Sequence, residues 1–136
     1  MNTQPDIEQL MQQCAADAVQ FAAEEYQLDL DFSLESLSLV DTILTRLHEV
    51  HRLQRLSDEH IFTLCNIYGA YLGQIFISVV GGEWIHQQGD ETAPYVSLNY
   101  NNREFPLASL CYHKMTKEPH LSVREYVHQA MSNAMQ

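Results

Sequence analysis

The chain has 136 residues, 46% of them hydrophobic and 18% charged, which excludes a disordered chain and suffices for one core without metal or disulfide staples. Its formal net charge of −11 is uneven, because residues 1–45 hold nine acids and neither lysine nor arginine. Such a field repels nucleic acid and anionic membranes, which sets both aside as partners, and it speeds encounter with a basic protein.

A single domain is expected over residues 1–136. Met1 to Pro5 is polar and is followed by Asp6, Glu8 and Asp17, not by the basic and then apolar run of a secretory signal, so a cytoplasmic location is expected. Cys14, Cys65 and Cys111 are odd in number and form no CxxC pair, which predicts free thiols rather than a disulfide framework or thiolate zinc site. Cys14 and Cys65 fall at core-face helical positions, where cysteine acts as a small hydrophobe.

Asp6 to about Gln27 has the period of an amphipathic helix, with Ile7, Leu10, Met11, Cys14, Ala18, Phe21 and Ala22 on one face. Leu28 to Phe32 alternates apolar and acidic residues but is too short to define a strand. It delivers the chain to Ser33, the expected N-cap of a second helix in which Leu37, Val40, Leu44 and Leu47 face inward. His51, Arg52 and Arg55 near its end suit the negative end of the helix dipole. The short link Gln54 to Leu56 makes helices two and three antiparallel neighbours.

Ser57 caps a third helix with Asp58 and Glu59 in its first turn, and this helix is apolar almost all round up to the Gly81-Gly82 stop. An all-round apolar helix is central. Gly69 and Gly73 each cost about 1 kcal/mol relative to alanine, a deficit that the close approach of a neighbouring backbone offsets. The same spacing occurs in membrane helix dimers, but Asn66 and Gln74 interrupt the run that a spanning helix needs.

The period then changes. Glu83 to Gln87, Tyr95 to Tyr100 and Arg103 to Leu107 are expected strands, with a loop Gln88 to Pro94 around a Gly89-Asp90 turn and a two-residue hairpin turn at Asn101-Asn102. Pro106 makes the third strand an edge or ends it. Val96, Leu98 and Tyr100 share one face, with Trp84 packing beneath. Leu107 to Met115 returns to helix, and Ser122 with Glu125 forms a capping box for a last helix carrying Val123, Tyr126, Val127, Ala130 and Met131. The expected fold is therefore α+β: about five helices, one long and central, on a small antiparallel sheet of about three strands.

Reaction chemistry is hard to find. His48-Glu49-Val50-His51 with His60 is the best metal candidate, yet the two histidines are three apart and miss the zinc-protease register, so no metal site is expected. GAYLG at 69–73 falls inside a helix and is not a dinucleotide turn; no GxSxG elbow or P-loop occurs. No catalytic residue and no cofactor are expected. Tyr68 and Tyr71 lie three apart, so one of them is expected to reach the surface together with Tyr95 or Tyr112 and to contribute to an interface.

Leu30-Asp31-Phe32-Ser33 with Glu35-Ser36-Leu37 and Asp41, then Gly69-Ala70-Tyr71-Leu72-Gly73, Gly81-Gly82-Glu83-Trp84 and Phe105-Pro106-Leu107 together resemble a family of small uncharacterised bacterial proteins, a domain of unknown function. The resemblance spans roughly residues 30–107 and implies an α+β domain with helices supporting a small sheet; it brings no activity and no catalytic residues. Ile75-Phe76-Ile77-Ser78 departs from it, since more polar or basic residues are expected there.

The leading expectation is a non-enzymatic module that binds a protein partner, a basic one, through its acidic first third, with Glu24, Glu25, Asp29, Asp31 and Glu35 as the contact residues. An immunity or antitoxin-like protein that neutralises a basic toxin is one concrete version. The alternative is a small-ligand or metal-dependent enzyme with a pocket between sheet and helices. A homodimer seam along the third helix is a third option.

Overall fold

The computed structural model describes residues 6–87 and 95–136, so the expected loop from Gln88 to Pro94 and the first five residues lie outside the described part. The elements run α1 (Ile7–Tyr26), a 3₁₀ turn (Leu34–Ser36), α2 (Leu37–Gln54), α3 (Asp58–Val79), β1 (Glu83–Gln87), β2 (Tyr95–Tyr100), β3 (Arg103–Phe105), α4 (Leu107–Thr116) and α5 (Val123–Ala134). Among the described residues this is an α+β fold of five α-helices packed on a three-stranded antiparallel sheet of order β1-β2-β3.

The long apolar run forms the axis. Ser57 Oγ accepts the His60 N–H at 3.1 Å, and Asp58 and Glu59 complement the dipole in the first turn. Tyr68, Tyr71, Leu72, Ile75 and Phe76 are buried along α3, each apolar side chain contributing about 1.5–3 kcal/mol by leaving water. By length and composition α3 could cross a membrane, but 67% of its most apolar window is buried inside the fold. Its apolar surface thus finds its partners within the chain, leaving Phe62 and Val79 as its exposed large hydrophobics.

The two internal glycines admit different neighbours. A Cβ at Gly69 would lie 2.8 Å from the backbone N and Cα of Ala108, so α3 and α4 touch there backbone to backbone. At Gly73 the Trp84 indole occupies the space that a Cβ would need. One glycine admits a helix; the other seats the sheet's only tryptophan.

Gly81 and Gly82, both at φ +117, let the chain leave α3 and enter β1 directly. β1 pairs with β2 from Glu83 opposite Asn99 to Gln87 opposite Tyr95, and β2 pairs with β3 from Leu98 opposite Phe105 to Tyr100 opposite Arg103. Asn101 and Asn102 take φ 53 and 65, the positive pair that a two-residue hairpin of type I′ requires. β3 stops at Phe105, two residues before the expected Leu107, because Pro106 has no N–H for the ladder; it serves as the N-cap of α4 instead. Phe76 joins helix to sheet, with ring centroids 5.1 Å from Phe105 and 6.2 Å from Tyr100.

Three local expectations change. The short link Gln54 to Leu56 does not make α2 and α3 packed neighbours: α3 lies mainly against α1 and α4, and α2 against α4 and α5. Ser33 does act as an N-cap, but of the 3₁₀ turn that leads into α2, and α2 itself begins at Leu37. The start of α5 combines a local cap with a distant one: Ser122 Oγ accepts the Glu125 N–H at 3.0 Å, while the carboxylate of Asp41 on α2 accepts Val123 N–H at 2.8 Å, Arg124 N–H at 3.1 Å and the Ser122 hydroxyl at 3.1 Å. A carboxylate from another helix thereby satisfies the orphan donors and the positive end of α5. Lys114, only 3% exposed, places Nζ 3.6 Å from the same carboxylate and donates to the carbonyls of Pro119 and Leu121. Each buried charge is paired or bonded, which offsets much of its desolvation.

Candidate functional site

The acidic residues follow the connection from α1 to α2. α1 ends with Gln27 in the left-handed region and Leu28 N–H bonded back to the Ala22 carbonyl at 3.1 Å, a reversal that starts the chain along the core edge. Leu30 is buried, whereas Glu24, Glu25, Asp29, Asp31 and Glu35 are all exposed. Within this segment Phe32 is 42% exposed and Leu34 is 38% exposed, so two large apolar side chains stand among the carboxylates.

Phe32 adopts φ +62, costly for a bulky residue, and a chain of hydrogen bonds holds it. Phe32 N–H donates to the Tyr71 hydroxyl at 2.9 Å; that hydroxyl lies 2.6 Å from Ser36 Oγ, and Ser36 donates onward to the Ser33 carbonyl at 2.6 Å. Since Ser36 gives its proton to a carbonyl, Tyr71 is the donor between the two hydroxyls. The Phe32 ring also packs on Tyr71, with centroids 4.6 Å apart. The expectation that either Tyr68 or Tyr71 reaches the surface is therefore corrected: both are fully buried, Tyr68 against the Ala18 carbonyl and Tyr71 beneath Phe32. Tyr112 is 48% exposed, as expected, while the Tyr95 side chain lies outside the described part.

Electrostatics tie part of the cluster together. The Ser33 hydroxyl first, and then the Ser33 N–H, hold the Asp31 carboxyl below the usual carboxylate range. Burial pushes the Tyr71 phenol up; its bonds with Ser36 and Phe32 oppose this, and the nearby Asp31 and Asp29 reinforce it. Burial pushes the Tyr26 phenol up as well; the Arg46 guanidinium, 5.5 Å from its ring, opposes this and Glu25 reinforces it, while the Glu24 carboxylate accepts from Gln20 Nε2 at 3.1 Å. Asp29 and Asp31 thus share the Tyr71 neighbourhood, and Glu25 shares that of Tyr26 with Arg46 at the end of α1.

Two of the three candidate histidines, His48 and His51, have structural partners. Met115 O can only accept, so His48 Nδ1 donates to it at 2.6 Å; His51 Nδ1 accepts the Leu56 N–H at 3.1 Å and helps to close α2. Among the described residues no group of three or more His, Cys, Asp or Glu side chains is placed to hold a metal ion. The thiols of Cys65 and Cys111 are buried, and burial pushes that of Cys65 up to about 12 and that of Cys111 well above its ordinary value.

Trp84, Leu98, Phe105, Phe76 and Tyr100 fill the contact between sheet and helices, where the alternative reading expects a pocket. An open groove of about 580 Å³ runs outside it, between Phe105 of β3 and α5, with Glu125 as its one lining carboxylate. A separate cleft of about 370 Å³ lies between α3 and α4. No match was found among protein-family models, curated proteins or solved structures.

The candidate contact residues were readable as a run of acids without bases. Phe32 and Asp41 belong to the residues that carry the family resemblance, but the resemblance gives them no role, and Lys114 lies outside it. Asp41 follows Leu37 by four residues and precedes Leu44 by three, and Lys114 follows Cys111 by three, so two opposite charges at inward helical positions were the available signal. Nothing local marks Phe32, because its conformation depends on Tyr71, 39 residues away.

Proposed function

We propose that this protein is a non-enzymatic binding module whose α1–α2 connection docks a basic protein partner. The observation that carries the reading is the exposure of Glu24 and Glu25 in the last turn of α1 and of Asp29, Asp31 and Glu35 in the connection that follows it, which also exposes Phe32 and Leu34. Apolar side chains that interrupt a charged surface act as anchors in interfaces, while the charges speed encounter and set orientation. Neutralisation of a basic toxin, as by an immunity or antitoxin protein, suits such a surface, and a cytoplasmic bacterial setting accords with the family resemblance.

The test compares the wild-type chain with one carrying Glu24→Gln, Glu25→Gln, Asp29→Asn, Asp31→Asn and Glu35→Gln as baits in an extract of the native host. The expected result is a basic partner retained by the wild type at about 50 mM salt, weakened at about 300 mM, where screening shortens the reach of charges, and absent from the variant. Equal retention by both baits, or no salt-sensitive partner, overturns the reading.

A further inference from the structure

A cleft between α3 and α4 lies beside the Gly69–Ala108 contact and shares Ala108 with it. The two backbones touch there, and toward the start of α3 and the middle of α4 a space of about 370 Å³ opens, lined by Asp58, Phe62, Cys65, Asn66, Ser109 and Tyr112 as well as Ala108. Phe62 and Tyr112 are each 48% exposed, so the two largest exposed aromatic side chains of these helices flank the same opening. That volume suits a compact ligand with one or two rings.

The polar groups of the cleft select the charge of the ligand. Asp58 is its one carboxylate, is exposed, and has no salt-bridge partner among the described residues. Asn66 gives one N–H of its amide to the Phe62 carbonyl at 2.8 Å, which leaves its oxygen as an acceptor and its second N–H as a donor. An anionic ligand meets Asp58, the adjacent Glu59 and a chain of net charge −11. A neutral apolar ligand covers Asp58 without supplying the hydrogen bonds that water gave it. A cation on an apolar body supplies donors to Asp58 and Asn66 and sets positive charge against two aromatic rings.

We infer that the α3–α4 cleft is a binding site for a small aromatic or apolar amine, its ammonium on Asp58 and its body between Phe62 and Tyr112. The site is separate from the acidic α1–α2 connection, and its test does not depend on the basic partner.

Three probes of one shape decide the matter: 1-naphthylmethylamine, 1-naphthalenemethanol and 1-naphthoate, titrated against the full-length protein by calorimetry and by amide chemical-shift mapping. The amine is expected to bind at least tenfold more tightly than the alcohol, the carboxylate not to bind at millimolar concentration, and the shifts to centre on Phe62, Cys65, Asn66 and Tyr112. Asp58→Asn is expected to bring the amine within about twofold of the alcohol, and Ser109→Trp, which fills the opening from an exposed position, to abolish binding of both while the circular dichroism melt stays unchanged. Equal affinity for amine and alcohol, shifts centred elsewhere, undiminished amine preference in Asp58→Asn, or loss of probe binding through concentration-dependent pairing of two copies overturns the inference.

Discussion

Tyr71 illustrates how one buried hydroxyl sets the shape of a surface. It takes the Phe32 N–H and gives its own proton to Ser36, so a left-handed phenylalanine is held from beneath by a residue on the central helix. Tyr71→Phe keeps the ring and removes the oxygen, leaving the Phe32 N–H without its acceptor and Ser36 Oγ without its donor. The expected loss is about 1–3 kcal/mol of stability in urea unfolding, with faster amide exchange at Phe32. The thiols give a second expectation at this scale. Cys65 keeps its proton in the fold up to about 12, against an ordinary value of 9.0, because ionisation inside the core lacks solvation. Unfolded thiols release protons above about pH 9 while folded Cys65 does not, so its contribution to stability is intact below that pH and is lost as pH rises toward 12. Cys111 and Tyr68 shift in the same direction for the same reason. The urea midpoint is expected to fall between pH 8 and pH 10.5, with about 2 kcal/mol of the loss assigned to Cys65 and removed by Cys65→Ala.

At the scale of elements, α3 is positioned by its two missing side chains. Alanine at either glycine should gain about 1 kcal/mol of helix propensity, yet at Gly69 the new Cβ meets backbone and at Gly73 it meets an indole. Backbone cannot rotate away, and Trp84 is 5% exposed with no open space to enter, so overpacking of about 1–3 kcal/mol wins at both sites. The two variants separate by spectroscopy. Gly73→Ala is expected to shift the emission of the chain's single tryptophan toward the red, whereas Gly69→Ala is expected to lower the melting temperature with the emission unchanged. The α2–α5 contact follows the same logic of one element completing another, since the Asp41 carboxylate supplies the acceptors that the first turn of α5 lacks locally.

On the scale of the whole molecule, one hydrophobic core draws residues from all five α-helices and from the sheet, and charge is arranged around it unevenly. The acidic first third and the cleft between α3 and α4 offer two surfaces of different character: a charged connection that exposes two apolar side chains, and an apolar hollow with one carboxylate. Salt should weaken a complex at the first much more than a ligand at the second, because an extended interface sums many exposed charges while the hollow presents a single one. Measuring both affinities over the same salt range is the direct comparison.

Most of the element plan was legible in the sequence because its signals are local. The 3.6-residue apolar period marks α1, α2 and α3; Ser57, Ser33 and Ser122 mark starts by offering an oxygen to nearby N–H groups; and Asn101-Asn102 marks the hairpin because asparagine tolerates positive φ. The charge asymmetry of residues 1–45 is likewise a property of the chain itself. Only the tertiary structure decided that Gly69 meets Ala108 while Gly73 meets Trp84, that Asp41 caps α5 beside a buried Lys114, and that Tyr71 fixes Phe32 among the carboxylates. Each of these joins residues of different elements, and their partners are chosen by which surfaces fit when the helices and sheet pack, a choice that no local period or cap records.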